Sequence, residues 1–547
     1  MQRKLSEWAT QDKEFKFFDL YHLLYDEDWL RLAHDYVSQN AGSMTAGCDG
    51  INMSIFDENL EGNLQQLTEE LKSETFVPYP VRRVYIPKPN GKTRPLGIPS
   101  IKDRIVQEAL RMVLEPIFEA DFSPYSFGFR PTRRTMDANK CIAWSVQEHK
   151  RYFWVIEGDI SSYFDTIHHP KLLRLVGKRI KDKKILQLIW KFLRAGVMEK
   201  RTFRATTLGT PQGGIISPLL ANIYLTELDR YIERYTALLK KEKTKRRQHG
   251  LSNFVYVRYA DDFVVLCNGN KAQAEAMREE LYLFLKTILR LELSKEKTKI
   301  THLNDGFKFL GFWIERAKGH DGMKTKVTIP NEAMDKIKSK IGLALAPSSS
   351  QDSIATKILA LNRLIGGWCR YYQYTSRTNK QFGNVQTYTF WCMAHWLGRK
   401  YQLSMPVVLQ RFYVDGQFTT QKLRLLRPAA DFPPRQYKQR FLKPNPYLMQ
   451  DRKLDREDLP AESYWTGYAA RPGMADLRPL ILERDEYSCQ TCGAKVIDST
   501  AEVDHIRPVR RFKRPSDANV DWNLWTLCTP CHKEKTKSDR QAESRVR

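Results

Sequence analysis

No stretch of the chain approaches the roughly eighteen uncharged apolar residues that a membrane span needs, so a soluble protein is expected. No internal repeat and no long low-complexity tract is present, which argues against solenoid and fibrous architectures. Met1 to Phe18 carries Glu7, Asp12 and Glu14 and has no apolar stretch before small residues, so neither a secretory signal nor an acid-poor transit peptide is expected there. Acidic residues are scarce relative to basic ones: 63 Asp and Glu against 89 Lys and Arg leave a formal net charge of +26. Such a surface attracts polyanions, and Tyr and Trp recur among the Lys and Arg, as stacking on bases would need. Nucleic acid is the expected partner. There are only 9 cysteines, too unevenly spread for a disulfide framework. Cys48, Cys141, Cys267, Cys369 and Cys392 are scattered, whereas Cys489, Cys492, Cys528 and Cys531 form two close pairs, which points to metal in a reducing compartment.

What is present is enough apolar material for several cores. Hydrophobic residues make up 42% of 547 and aromatics 12%, and a chain of that length is expected to divide into about three or four domains. Up to about Asp121 the pattern is helical, interrupted at Val77 to Ser100, where Pro78, Pro80, Pro87, Pro89, Pro95 and Pro99 force extended segments in a basic loop or hairpin. Tyr152 to Ile156 is an apolar run that reads as a buried strand ending at Asp159. Phe254 to Tyr259 and Phe263 to Cys267 read as a hairpin with Asp261 and Asp262 at its tip. Leu238 to Gly250 is a basic excursion, either touching phosphate or a solvated loop. Asn331 to Ala346 reads as a helix ending at a polar linker, 347–351, with a domain boundary nearby. Ile354 to Lys400 is helical and dense in aromatics, including Trp368, Tyr372, Trp391 and Trp396, most of them expected in a helix-bundle core. Prolines and basic residues from Arg427 to Tyr447 mark a last boundary.

Nucleotidyl transfer needs two divalent cations close together, and carboxylates are the hard oxygen ligands that suit Mg²⁺. Asp159, Asp261 and Asp262 at neighbouring strand ends could supply them, although an acid pair in a turn is usually only a turn. The company these residues keep decides otherwise. Ile86 to Pro99, Tyr125 to Pro131, Asp159 to Asp165, Thr210 to Pro218, Tyr259 to Asp262, Leu293 to Lys299 and Phe309 to Phe312 resemble, in order, the successive blocks of reverse transcriptases.

The resemblance implies that Asp159 and Asp261 ligate the metals with help from the Ile160 carbonyl, and that Asp262 completes the triad. It gives Lys88 and Arg94 the incoming triphosphate, a role their charges suit. Phe164 resembles the bulky residue that excludes a 2′-hydroxyl, although a simple core Phe reads nearly as well. Gln212, followed by two glycines, resembles the residue lining the nascent base pair. Lys297 could donate a proton to pyrophosphate, with Lys295 and Lys299 close enough to compete for that role.

The run Ala41 to Gly50 and the block Leu361 to Tyr374 narrow the resemblance to group II intron-encoded proteins, in which they belong to an RNA-contacting extension and to the maturase, or thumb, domain. At the C-terminus the two Cys pairs fit tetrahedral structural Zn²⁺. Asp504, His505, Asn523 and His532 between and after them resemble an HNH endonuclease. In that reading His505 is the general base, Asn523 fixes its ring, and Asp504 and His532 bind Mg²⁺ or another divalent ion.

The expected fold is multidomain α+β. It comprises an N-terminal extension (1–75), right-hand fingers and palm with an antiparallel palm sheet (76–315), a helical thumb or maturase domain (316–426), a DNA-binding region (427–478) and a small zinc-stapled ββα-metal HNH domain (479–547). The resemblance implies an RNA-directed DNA polymerase that uses deoxynucleoside triphosphates, aids splicing of intron RNA, and nicks target DNA to prime its own synthesis during intron insertion. No membrane partner is expected. The expected location is a bacterial cytoplasm, close to the nucleoid, with an organelle as the alternative. Competing readings are a retron-like or standalone reverse transcriptase, which the maturase block and HNH tail oppose, and a non-enzymatic splicing cofactor, which the intact acids oppose.

Overall fold

The computed structural model describes residues 1–448 except 41, 88–90, 92, 200–201, 211–212, 295–296, 320–321, 421–422, 436 and 438–444, and then 478, 481–482, 484–485, 487–497, 500–506 and 523–535. Lys88 and Gln212 lie outside the described residues, as does most of the expected DNA-binding region. The chain divides into two compact units, one built on Met1–Thr328 and a second beginning at Ile329. No described helix is long and apolar enough to cross a membrane.

In chain order the strands that organise the first unit are β1 (Val81–Pro87), β2 (Thr93–Ile98), β3 (Trp154–Gly158), β4 (Val197–Glu199), β5 (Thr202–Arg204), β6 (Phe254–Tyr259), β7 (Asp262–Cys267) and β8 (Lys299–His302). Its principal sheet runs β6-β7-β3-β8 and is antiparallel throughout, so β7 and β3 are the interior strands. Successive side chains point to opposite faces of a strand, and here both faces are covered. Ile156, Tyr256, Phe263 and Val265 enter one core, shared with the helices Ile101–Glu119 and Ser217–Thr236. Val155, Val257, Val264 and Leu266 enter the other, shared with the helix Thr135–Ser145. Burial on both sides is why these segments read as almost unbroken apolar runs rather than as alternating ones.

The proline-rich segment forms the β1-β2 hairpin, inside a second sheet of order β2-β1-β4-β5. Prolines fit there because each removes only one donor from a short ladder. β1 also pairs in parallel with β4, Val81 opposite Val197, a long-range pairing that no local pattern announces. The basic excursion is a helix, Lys240–Gln248, rather than a loop. Lys, Arg and Glu are good helix formers, and the Leu239 amide donates to Glu242 Oε2 at 2.7 Å across its first turn.

A three-stranded sheet follows, with β10 (Phe312–Gly319) between β9 (Phe307–Phe309) and β11 (Gly322–Thr328). Its ladder carries the first unit on to Thr328, so the expected border between 315 and 316 falls inside β10. In the second unit the helices Asn331–Ala344, Ile354–Tyr372 and Thr378–Tyr401 pack together, and the polar stretch 347–351 only joins the first two. Tyr372 and Trp396 are buried in this bundle, as expected, but Trp391 is 48% exposed. A small hairpin, β12 (Tyr413–Val414) and β13 (Gln417–Phe418), closes the helical part. Near the C-terminus β14 (Ala501–His505) pairs antiparallel with β15 (Leu524–Cys528), and helical residues 529–535 follow.

Candidate active sites

Asp159 comes directly after β3, and Asp261 and Asp262 stand at the β6-β7 turn, so the ends of the two interior strands bring three carboxylates to one edge of the sheet. Two local features make room for this. A Cβ on Gly158 would lie 2.1 Å from the Phe263 ring, so only glycine lets that ring cross β3 just before Asp159. Tyr259 pairs with Asp262, which leaves Ala260 and Asp261 as a two-residue turn, with Ala260 at φ +58°. That left-handed conformation costs about 1 kcal/mol in a residue other than glycine.

The electrostatics mark the cluster as one site. Burial, together with the charges of Asp261 and Asp159, pushes Asp262 up to about 6. Burial, then the charge of Asp159, raises Asp261, against the opposing pull of Arg94 and Arg258. Lys297 Nζ donates to Asp159 Oδ2 at 2.9 Å, and that hydrogen bond holds the ammonium above its ordinary range. Two buried carboxyls raised beside a third carboxylate call for a cation, and hard oxygen donors fit Mg²⁺. The backbone behind them is sutured: Ile160 bridges antiparallel to Leu293, and the amides of Ser294 and Ser161 each donate at 2.8 Å, to the carbonyls of Asp159 and Glu292.

A buried network that the sequence reading missed holds the acidic turn. Arg258, fully buried on β6, forms a two-pronged ion pair with Asp229 at 2.7 and 2.6 Å, and its Nη1 donates to Asn222 Oδ1 at 2.9 Å and to the Ala260 carbonyl at 2.8 Å. Asn222 in turn donates to the Gly128 carbonyl at 2.9 Å. A Cβ on Gly128 would meet the Ala260 nitrogen at 2.2 Å, so that glycine is required by close backbone approach. The available signal was a lone Arg in an apolar strand, which must find a buried partner.

Of the residues expected around a nucleotide, Arg94 lies on β2 and acts electrostatically on Asp261. Phe164 is 8% exposed and meets Phe129 edge to face at 6.3 Å. The Thr210 amide donates to its carbonyl at 2.7 Å. Gly213, at φ +114°, would place a Cβ 2.3 Å from the Gly97 carbonyl, so the glycine after Gln212 does permit close approach, against the end of β2.

The four sulfurs of Cys489, Cys492, Cys528 and Cys531 lie within 4.8 Å of one another, as tetrahedral Zn²⁺ would require. Among the described residues, Asp159, Asp261 and Asp262 do not form a cluster of that spacing. His505 ends β14 opposite Leu524, and the Ile506 amide donates to the Asn523 carbonyl at 2.7 Å, so His505 and Asn523 are neighbours across the β14–β15 pair. His532 Nε2 lies 3.8 Å from Asp504 Oδ2, which also accepts a 3.0 Å contact from Lys535, a residue the sequence reading did not single out.

Three family models match along the chain. "Reverse transcriptase (RNA-dependent DNA polymerase)" matches residues 86–314, "Group II intron, maturase-specific domain" matches 334–413, and "HNH endonuclease" matches 489–538. Protein YkfC of Escherichia coli (strain K12) is 44% identical over 61% of the chain and 92% of its own length. Group II intron-encoded protein LtrA of Lactococcus lactis subsp. cremoris is 37% identical over 57% of the chain and 59% of its own length. An uncharacterized 91 kDa protein in a cob intron of Schizosaccharomyces pombe is 29% identical over 93% of the chain and 68% of its own. The chain belongs to the group II intron-encoded reverse transcriptases and maturases, and it carries an HNH endonuclease domain.

Proposed function

We propose that this chain copies RNA into DNA at Asp159, Asp261 and Asp262, and that it serves the splicing and insertion of a group II intron. The observation that carries the reading is the meeting of Asp159, Asp261 and Asp262 at the ends of the interior strands β3 and β7, where burial and neighbouring carboxylate charge raise Asp261 and Asp262. Mg²⁺ held by Asp159, Asp261, Asp262 and the Ile160 carbonyl would activate the primer hydroxyl and neutralise the triphosphate. Arg94 and Lys88 bind that triphosphate, Gln212 lines the nascent pair, Phe164 packs beneath the sugar, and Lys297 protonates the leaving pyrophosphate. In this assignment the β6-β7-β3-β8 sheet is the palm, the β1-β2 hairpin belongs to the fingers, and the helices from Asn331 to Tyr401 form the thumb that holds intron RNA.

In the nuclease, His505 accepts a proton from water, Asn523 orients the His505 ring, and Asp504 and His532 hold a divalent ion at the scissile phosphate of target DNA. Cys489, Cys492, Cys528 and Cys531 hold a structural Zn²⁺. Region 427–478 binds the target DNA, and the nicked 3′ end then primes copying of the intron.

The two centres are expected to be separable. Asp262→Ala should reduce primer extension on an RNA template to background while nicking of the DNA target persists, and His505→Ala should do the reverse. Wild-type extension by Asp262→Ala would falsify the metal-site assignment.

A further inference from the structure

The helix Thr378–Tyr401 has two working faces. Phe382, Val385, Thr389, Met393 and Trp396 point into the bundle and are buried. Asn384, Thr387, Tyr388, Trp391, His395 and Arg399 recur at helical spacing on another side. They line an open groove of about 810 Å³ against Lys338, Gly342 and Leu345 of the neighbouring helix and turn. The bundle does not need this face for its core, yet it holds a Trp that is 48% exposed.

The groove has the chemistry of a nucleotide site. The His395 ring lies 6.0 Å from the Trp391 ring at a 30° tilt, which gives a stacking wall. Lys338 reaches over the Tyr388 ring at 5.9 Å, and Arg399 is anchored by a 3.3 Å hydrogen bond to the Leu345 carbonyl. The lining residues include these cations and two small polar side chains, Asn384 and Thr387, and no carboxylate. From Asn384 to Arg399 the face runs about 22 Å at the helical rise, longer than a single base needs.

We propose that this groove holds an unstacked nucleotide of single-stranded RNA, with Trp391 as the stacking face and Lys338 and Arg399 on the flanking phosphates. A duplex could not use the site, because its base faces are already stacked on one another. The proposal rests on the intron-RNA reading only for which RNA enters.

The test uses the full chain with its polymerase site filled by a template-primer duplex, and a labelled, thiouridine-substituted uridine-rich RNA as probe. Trp391→Ala should weaken binding of the probe roughly 5- to 150-fold, the usual effect of removing one stacked base, whereas Trp391→Phe should retain most of the affinity. Arg399→Ala should lower the slope of log K against log salt by about 0.7, the effect of one lost phosphate contact. Photo-crosslinks should map between Tyr388 and His395. Wild-type affinity in Trp391→Ala, crosslinks confined elsewhere, or equal Trp391-dependent binding of duplex RNA would each overturn the site. If the wild-type chain held its own intron no better than unrelated RNA while Trp391→Ala still lost the probe, the intron reading would fail and this site would stand.

Discussion

Asp103, three residues after the Ser100 cap of the helix Ile101–Glu119, is a carboxyl that burial pushes toward its neutral form. Its Oδ2 accepts the Tyr79 amide at 3.1 Å and the Ser100 side chain also hydrogen-bonds to the carboxyl, while Gln107 Oε1, one turn on, is a buried acceptor without a partner among the described residues. Asp103 and Gln107 line a cavity of about 10 Å³. Burial pushes Asp103 up to about 7 from an ordinary 3.8. The folded value is the higher one, so as pH rises the unfolded chain loses its proton first. Stability therefore falls across that window and carries a constant penalty above it. Asp103→Asn should be more stable than wild type by on the order of 2 kcal/mol at neutral or higher pH, and the gain should vanish as pH falls toward 4. Thermal unfolding at both ends of the window checks this, and equal melting temperatures at high pH would sink it. That Asp159, Asp261 and Asp262 would meet was legible because recognisable sequence blocks surround each of them. Asp103 was not, because a carboxyl's burial depends on helices packed over it from far along the chain.

The acidic hairpin shows how much an element owes to its supports. Its strands were legible from apolar runs flanking a turn. Its rigidity was not, since Arg258, Asp229, Asn222 and Gly128 come from three separate segments. Gly128→Ala must displace the Ala260 backbone, which a Cβ would approach to 2.2 Å. Misplacement by about 1 Å typically costs on the order of 100-fold in rate, so primer extension should fall by about that much with template-primer affinity unchanged. An Asp229→Ala chain would leave the Arg258 guanidinium buried and unpaired, and should lose about 3–5 kcal/mol in thermal or denaturant unfolding. A loss under about 1 kcal/mol would show that solvent reaches Arg258. The parallel pairing of β1 with β4 was hidden for a related reason: strand periodicity names a strand and not its partner.

For the molecule as a whole, a zinc-selective chelator with Mg²⁺ in excess should separate the two chemistries. Structural zinc sites commonly supply about 10–16 kcal/mol of apparent binding energy, enough to decide whether a small domain folds. The segments 487–497 and 523–535 should then lose protection from proteolysis and nicking should cease, while primer extension continues. Parallel loss of both activities would mean that the cysteine cluster supports more than the nuclease. This modular layout was legible in the sequence because each part carries its own signature, whereas the border at Thr328 depended on a strand ladder.

The doubly covered sheet bears on how the enzyme ages under heat. Amides of β3 and β7, interior and roofed on both sides, should exchange with deuterium only through opening of the whole unit. The acids at their ends therefore keep their geometry while loops and termini fray. Loss of polymerisation on warming should follow the slowest-exchanging amides of the protein rather than its average mobility.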